Sequence, residues 1–215
     1  MSARDLARQV QSRAEGVLRG HASIQDLWMA VVCGMAYGLV MGCFGGRWLQ
    51  LVYSAVKVPI LLLATVGLSL PSFFVLNTLL GLRDDFKSVA RAIIGAQAGL
   101  TVILVSLAPV TVFWYASSTD YHAAILFNGL MFGIASFGAQ VILWRAYAPL
   151  IASNPRHRLL LRAWLIFYVF VGIQMGWVLR PFVGDPRNPV EFFRAEAWDN
   201  AYVIVAKMFW EKIGG

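Results

Sequence analysis

The sequence predicts an all-α integral membrane protein with five transmembrane helices and an amphipathic helix at the membrane surface at each end of the chain. Of the 215 residues, 59% are hydrophobic and only 13% are charged, and the mean hydropathy is +0.67. Long uncharged segments alternate with short charged ones, and Trp or Tyr residues stand near the ends of most uncharged segments. This pattern is typical of a chain that crosses a bilayer several times. It predicts one membrane domain over residues 1–215.

The first predicted element is a surface helix over residues 1–25. Leu6, Val10 and Val17 recur on one apolar face, opposite Arg8 and Arg13. A helix of this kind lies in the cytoplasmic interface of the membrane, with its apolar face toward the lipid. The alternative interpretation is that the apolar face binds a soluble partner protein.

Five uncharged segments follow, each close to or above the roughly 20 residues that cross a hydrocarbon core about 30 Å thick. Lipid requires backbone groups to bond within their own segment, so the spans are helices. We place Lys57 outside the second span, because Pro59 suits a first helical turn and the residues from there to Leu82 are uncharged. Pro71 and Pro109 fall inside spans and predict kinks. The predicted spans are residues 27–46, 58–82, 92–116, 121–144 and 163–179.

Residues 180–215 are predicted to form an outer loop and a second surface helix. The stretch RPFVGDPRNPVEFFR has three prolines and a glycine, which exclude a regular element. Trp198, Tyr202, Val205 and Phe209 then return at helical spacing. This last helix is too short and too charged to cross a membrane.

The distribution of Lys and Arg predicts the orientation. These residues concentrate in residues 1–26, 83–91 and 145–162, whereas residues 116–121 contain none. The positive-inside rule places the N-terminus in the cytoplasm, and five spans place the C-terminus outside, in a bacterial cytoplasmic (inner) membrane. Anionic lipids at the cytoplasmic face account for the net charge of +7, so no nucleic-acid partner is expected.

Small residues at four-residue spacing predict helix-contact faces, because close backbone approach holds helices together in lipid. We interpret the stripe in the first span as packing within one monomer. The alternatives are copies around a symmetry axis, as in a homo-oligomeric channel, or a different subunit. The stripe consists of Ala30, Gly34, Gly38, Gly42 and Gly46, and single units recur as Gly95 and Gly99, Gly129 and Gly133, and Gly172 and Gly176.

One polar group stands at the end of the last span. Gln174, Trp177 and Arg180 are spaced by three residues and share one helix face. The first interpretation is an arginine that snorkels to the outer surface and anchors the loop by pairing with Asp120, Asp185 or Glu191. The alternative is a site for an anion or a lipid headgroup.

No cofactor, metal site or enzyme activity is predicted. His21, His122 and His157 are not on neighbouring turns, and Cys33 and Cys43 lie ten residues apart on one helix, too far apart for a disulfide. Nucleotide, hydrolase and zinc-protease fingerprints are absent from the sequence.

Two segments carry a resemblance. The stretches WVLRPFVGDP, residues 177–186, and PSFFVLNTLLG, residues 71–81, resemble segments of uncharacterised bacterial polytopic membrane proteins. The resemblance implies a multi-span membrane fold and brings no activity, ligand or partner with it.

Three functional classes follow. The first choice is a non-enzymatic structural or assembly subunit of a larger membrane complex, with other membrane subunits or copies of itself as partners. The second is a homo-oligomeric channel or the membrane subunit of a transporter. A membrane-embedded lipid enzyme is the weakest, because the sequence offers no nucleophile with a base.

Overall fold

The regular structure of the described residues is helical. The computed structural model describes residues 26–185, 187–194 and 202–203. The predicted surface helices over residues 1–25 and near the C-terminus lie outside the described residues, apart from Tyr202 and Val203. Two short 3-10 helices, Phe44–Gly46 and Arg83–Asp85, precede α2 and α3 respectively. Within residues 26–185 the α-helices are α1 Asp26–Gly42, α2 Trp48–Leu79, α3 Phe86–Ser117, α4 Tyr121–Ser153 and α5 Arg156–Leu179.

Four of these helices, α2 to α5, are long and apolar enough to cross a membrane. For the described residues, this confirms the prediction of an all-helical fold with helices that could cross a membrane. Helix α1 is apolar but has only 17 residues, which at 1.5 Å each gives about 25 Å. The fifth crossing therefore stays a prediction.

Several helices extend beyond the predicted spans, whose boundaries in the membrane stay a prediction. Helix α2 begins at Trp48 and not at residue 58, so Lys57 lies inside the helix and not in a connection before it. Helix α4 continues through Arg145 and Pro149 to Ser153, and α5 begins at Arg156. Charges mark where the lipid ends, whereas a helix can continue into the headgroup region with its backbone bonds intact. Cutting the sequence at its charges therefore made the helices too short.

The first predicted span was too long, because α1 ends at Gly42. Gly45 and Gly46 have φ values of 77° and 68°, in the left-handed region that favours glycine. They turn the chain from α1 into α2. Gly46 therefore belongs to a turn and not to the glycine stripe.

Successive helices run in opposite directions, so their connections meet at two ends. At the upper end, defined by residues 43–47, 118–120 and 180–194, the Phe44 ring lies 5.1 Å from the ring of Tyr115. At the lower end, defined by residues 80–85 and 154–155, His157 Nε2 lies 3.0 Å from Asp85 Oδ2. Arg156 there donates to the carbonyl of Leu80 at 3.2 Å.

Hydrogen bonds between polar side chains connect the helices inside the bundle. Asn128 of α4 donates to Tyr115 Oη of α3 at 2.6 Å and accepts from Tyr37 Oη of α1 at 3.2 Å. Gln97 of α3 accepts from Tyr168 Oη of α5 at 2.8 Å. Bonds of this kind in membrane proteins contribute roughly 0.6 kcal/mol each. Buried amides therefore join neighbouring helices at Asn128 and Gln97.

The glycine stripe of α1 lies against α2 of the same chain. A Cβ built on Gly38 would stand 2.8 Å from Ala55 Cα, and one on Gly42 would stand 2.6 Å from Leu51 Cα. Gly34 lies opposite Pro59 at an ordinary 3.7 Å, and Ala30 packs with Ala98 of α3. The two backbones approach so closely that a side chain at Gly38 or Gly42 has no space.

The other glycine pairs differ from this stripe. Gly95 and Gly99 are buried within the bundle, and a Cβ on Gly172 would touch Thr65 of α2 at 3.5 Å. In contrast, a Cβ on Gly129, Gly133 or Gly176 would meet nothing within 4 Å among the described atoms. The same sequence spacing therefore marks a filled contact on α1 and an open face on α4.

Gly38→Ala should destabilise the monomer, whereas Gly129→Ala should not. Both changes add the same methyl group to a helix, so the gain in intrinsic helix stability is the same in the two variants. Only the change at Gly38 forces the α1 and α2 backbones apart, an overpacking effect of about 1–3 kcal/mol. Thermal unfolding in detergent measures the difference. Equal melting temperatures for the two variants would contradict the close α1 and α2 contact.

Candidate functional site

The densest polar group lies at the upper end, where α2 begins. Arg47, Gln50, Ser54 and Lys57 are spaced by three or four residues and so share one face of the first turns of the helix. The side chains of Gln50, Ser54 and Lys57 are fully buried. An apolar chain does not bury three polar side chains unless they have partners, and these three have one common partner.

That partner is the backbone of Pro181 and Phe182. Lys57 Nζ donates to the Pro181 carbonyl at 2.8 Å, and Gln50 Nε2 donates to the Phe182 carbonyl at 3.1 Å. Ser54 Oγ donates to the Phe182 carbonyl as well. Helix α5 has ended at Leu179, so these carbonyls receive no intrahelical bond. The polar face of α2 supplies the missing donors.

Lys57 also meets an aromatic ring. Its Nζ lies 4.9 Å from the centroid of the Phe192 ring, close enough for a cation–π interaction. The Phe192 ring in turn packs edge-on against Tyr53 at 5.2 Å. Lys57 therefore links α2 to the 180–194 segment.

Arg47 attaches the next part of the segment. Its guanidinium donates to the Asn188 carbonyl at 2.7 Å and to the Asp185 carbonyl. The Asp185 carboxylate accepts from the Arg187 backbone N–H at 3.0 Å and from Asn188 Nδ2 at 2.7 Å. The Arg187 N–H, with help from the Asn188 and Arg187 side chains, lowers the pKa of Asp185. Asp185, one of three acids expected to pair with Arg180, instead accepts these hydrogen bonds within its own turn.

Trp177 and Arg180, two members of the predicted group of Gln174, Trp177 and Arg180, contact each other. The guanidinium of Arg180 lies 3.3 Å from the centroid of the Trp177 ring, as expected for residues three apart on one helix face. A stacked arginine of this kind orders the end of α5. Binding of an anion or a lipid headgroup there stays a prediction.

A cavity of about 240 Å³ lies between the polar face of α2 and the 180–194 segment. Its walls carry both charges, with Arg47 and Arg194 facing Asp185 and Glu191. Gln50 Oε1 and Arg47 Nε are buried here without a hydrogen-bond partner among the described residues. The cavity can hold water or a small polar molecule. In the described part of the chain, no group of three or more His, Cys, Asp or Glu side chains could hold a metal ion.

Sequence reasoning missed this polar face. Its signal was present in the spacing of Gln50, Ser54 and Lys57, which continues a helix backward from Pro59. We interpreted Pro59 as a helix start, and that choice placed all three residues in a connection.

No protein-family model, curated protein or solved structure significantly matches this chain. The functional conclusions below therefore rest on the geometry of the described residues.

Lys57→Met should release the 180–194 segment while leaving the helices folded. The change keeps most of the apolar stem but removes the charged donor to the Pro181 carbonyl, which then accepts only from Gln50 Nε2 at 3.3 Å. Loss of a hydrogen bond from a charged group costs about 1.5–3 kcal/mol. Trypsin should then cleave after Arg187, whose side chain is 72% exposed, about tenfold faster than in the parent protein. Lys87→Met, at an exposed position on α3, is the control. Unchanged cleavage in Lys57→Met would contradict the role of Lys57.

Proposed function

We propose that the chain is a non-enzymatic integral membrane protein that stabilises or organises a larger membrane assembly. The observation that carries this proposal is the open small-residue face of α4. Gly129 and Gly133 have free space around them, and Leu126, Leu130 and Phe137 beside them are exposed by 58–74%. Two glycines one turn apart let a second helix approach closely in lipid. We assign this face to a transmembrane helix of another subunit.

The use of polar groups supports a structural role. Asn128 and Gln97 bond to tyrosines of neighbouring helices, and Asn77 donates to the Phe73 carbonyl of its own helix at 2.9 Å. Each amide thus joins or stabilises helices. The buried Lys57 is likewise engaged with the 180–194 segment.

The contact of Gly38 and Gly42 with α2 bears on the channel alternative. A symmetry axis along the α1 stripe would need that surface to be free, and α2 already covers it. A homo-oligomer would therefore use the α4 face in place of α1. Association of identical copies through α4 is the second outcome that the experiment distinguishes.

We further propose five membrane crossings, with the lower end in the cytoplasm of a bacterial cell and the upper end outside. Helix α1 lies against α2 at Gly38 and Gly42, and its length of about 25 Å approaches the roughly 30 Å of a hydrocarbon core. The positive-inside rule supports the orientation, because the lower end carries Arg83, Lys87, Arg91, Arg145, Arg156, Arg158 and Arg162.

Impermeant maleimide labelling of whole cells tests the topology. In a Cys33→Ala, Cys43→Ala background, Arg187→Cys should react from outside the cell. Ser153→Cys should react only after the membrane is permeabilised. Labelling of both positions from one side would contradict five crossings.

Gly129→Leu together with Gly133→Leu should abolish the assembly without unfolding the monomer, since both new side chains project into open space. The mass of the protein extracted in native lipid should fall from that of a complex to that of one chain. Gly67→Leu is the matched control, because Gly67 of α2 also has nothing within 4 Å but belongs to no glycine pair. A heteromeric mass for the parent favours the subunit proposal, and an integral multiple of its own mass favours the homo-oligomer. A parent that is monomeric in native lipid contradicts both.

A further inference from the structure

A groove of about 680 Å³ lies between α4 and α5 near the lower end. The connection between the two helices is only Asn154 and Pro155, so they start side by side. Helix α5 then packs on α2, with the Trp164 ring 5.1 Å from that of Phe73, while α4 packs on α3. On one side the two helices are in contact: the rings of Tyr147 and His157 lie 6.3 Å apart, and Leu143 and Leu160 belong to the same buried cluster. The groove follows the opposite, exposed side.

The walls of the groove are apolar along most of their length. Val141, Trp144 and Ile151 of α4 face Leu161 and Leu165 of α5. Trp144 is 64% exposed, and an exposed indole is typical of the boundary between headgroups and hydrocarbon. A groove with these walls, open to the membrane, accommodates acyl chains.

Two arginines stand at one end of the same groove. Arg158 and Arg162 are one helical turn apart on α5 and both are exposed. Neither guanidinium forms a hydrogen bond or an ion pair with another described residue, and no carboxylate lines the groove. Two cationic forks beside one another match a phosphate group, which guanidinium binds in a bidentate way.

The charge and the apolar walls are arranged along the membrane normal. Arg158 and Arg162 are the third and seventh residues of α5, so they lie about 3 and 9 Å from its lower end. The apolar walls continue past them to Val141 and Leu165, toward the centre of the bilayer. A phospholipid has the same order of groups, with the phosphate at the surface and the chains deeper.

We propose that this groove binds one anionic diacyl phospholipid. Arg158 and Arg162 hold its phosphate, and its acyl chains lie along Val141, Trp144 and Leu165. Occupation fills the gap between α4 and α5 that the protein leaves open. The proposal requires the helices to be in a membrane but does not depend on an assembly through the α4 glycine face.

Native mass spectrometry of the detergent-purified protein tests the site, with phosphatidylglycerol as the probe and phosphatidylcholine as the zwitterionic comparison. The parent should bind one phosphatidylglycerol in preference to phosphatidylcholine. Arg158→Gln with Arg162→Gln should weaken phosphatidylglycerol binding about tenfold or more, because two charge-assisted contacts are lost. Lys87→Gln with Arg91→Gln removes the same charge from exposed positions on α3 and should leave binding unchanged.

A second variant tests the chains separately from the charge. Ala148→Phe, on the α4 wall, fills the groove without altering the arginines, and it should weaken phosphatidylglycerol binding while the melting temperature of the protein stays at the parent value. Millimolar inorganic phosphate should not displace the lipid. An equal loss of phosphatidylglycerol binding in the Lys87→Gln, Arg91→Gln control would mean that general surface charge, and not this groove, attracts the lipid. Full binding in Arg158→Gln with Arg162→Gln, or in Ala148→Phe, would overturn the proposal, and so would displacement of the lipid by phosphate alone.

Discussion

Inside a membrane every backbone carbonyl must find a donor within the protein, and this constraint explains most of the architecture described above. Within a helix the backbone carbonyls are satisfied by intrahelical hydrogen bonds. The carbonyls of the segments that follow a helix need other donors. After Leu179 the chain contains prolines and cannot bond to itself regularly. Gln50, Ser54 and Lys57 donate to Pro181 and Phe182 in place of an intrahelical N–H. The irregular segment after α5 therefore requires a polar face on α2, which supplies the hydrogen-bond donors.

The bundle is closely packed at one place and open at others. Glycine at positions 38 and 42 lets α1 lie directly on the α2 backbone. Because α5 packs mainly on α2 and only partly on α4, the α4 helix keeps two exposed faces, one with Gly129 and Gly133 and one beside the arginines of α5. Lipid or another protein must cover these faces, since an apolar surface at membrane depth always has a neighbour. The helix arrangement therefore determines where external molecules meet the protein.

Composition and periodicity predicted the fold class because both depend on the lipid, which acts on every span in the same way. They predicted the ends of the helices less well. Lys57 illustrates why. A lysine is expected at a membrane surface unless an acceptor within the protein receives its hydrogen bond, and the acceptor of Lys57, the Pro181 carbonyl, is 124 residues further along the chain. The glycines show a similar limit. Their spacing was visible at Gly38 and at Gly129, but only the fold determines which one has a helix opposite it.

The separation of Lys57 from Pro181 affects biosynthesis. At translation rates of about 5–20 residues per second, the 124 residues between them take roughly 6–25 s to emerge. During that interval α2 has left the ribosome with a lysine whose acceptor has not yet been made. The side chain must meanwhile reach toward headgroups or water with its long stem. From this order of synthesis, we expect the upper part of α2 to reach its final depth only after the end of α5 has been made.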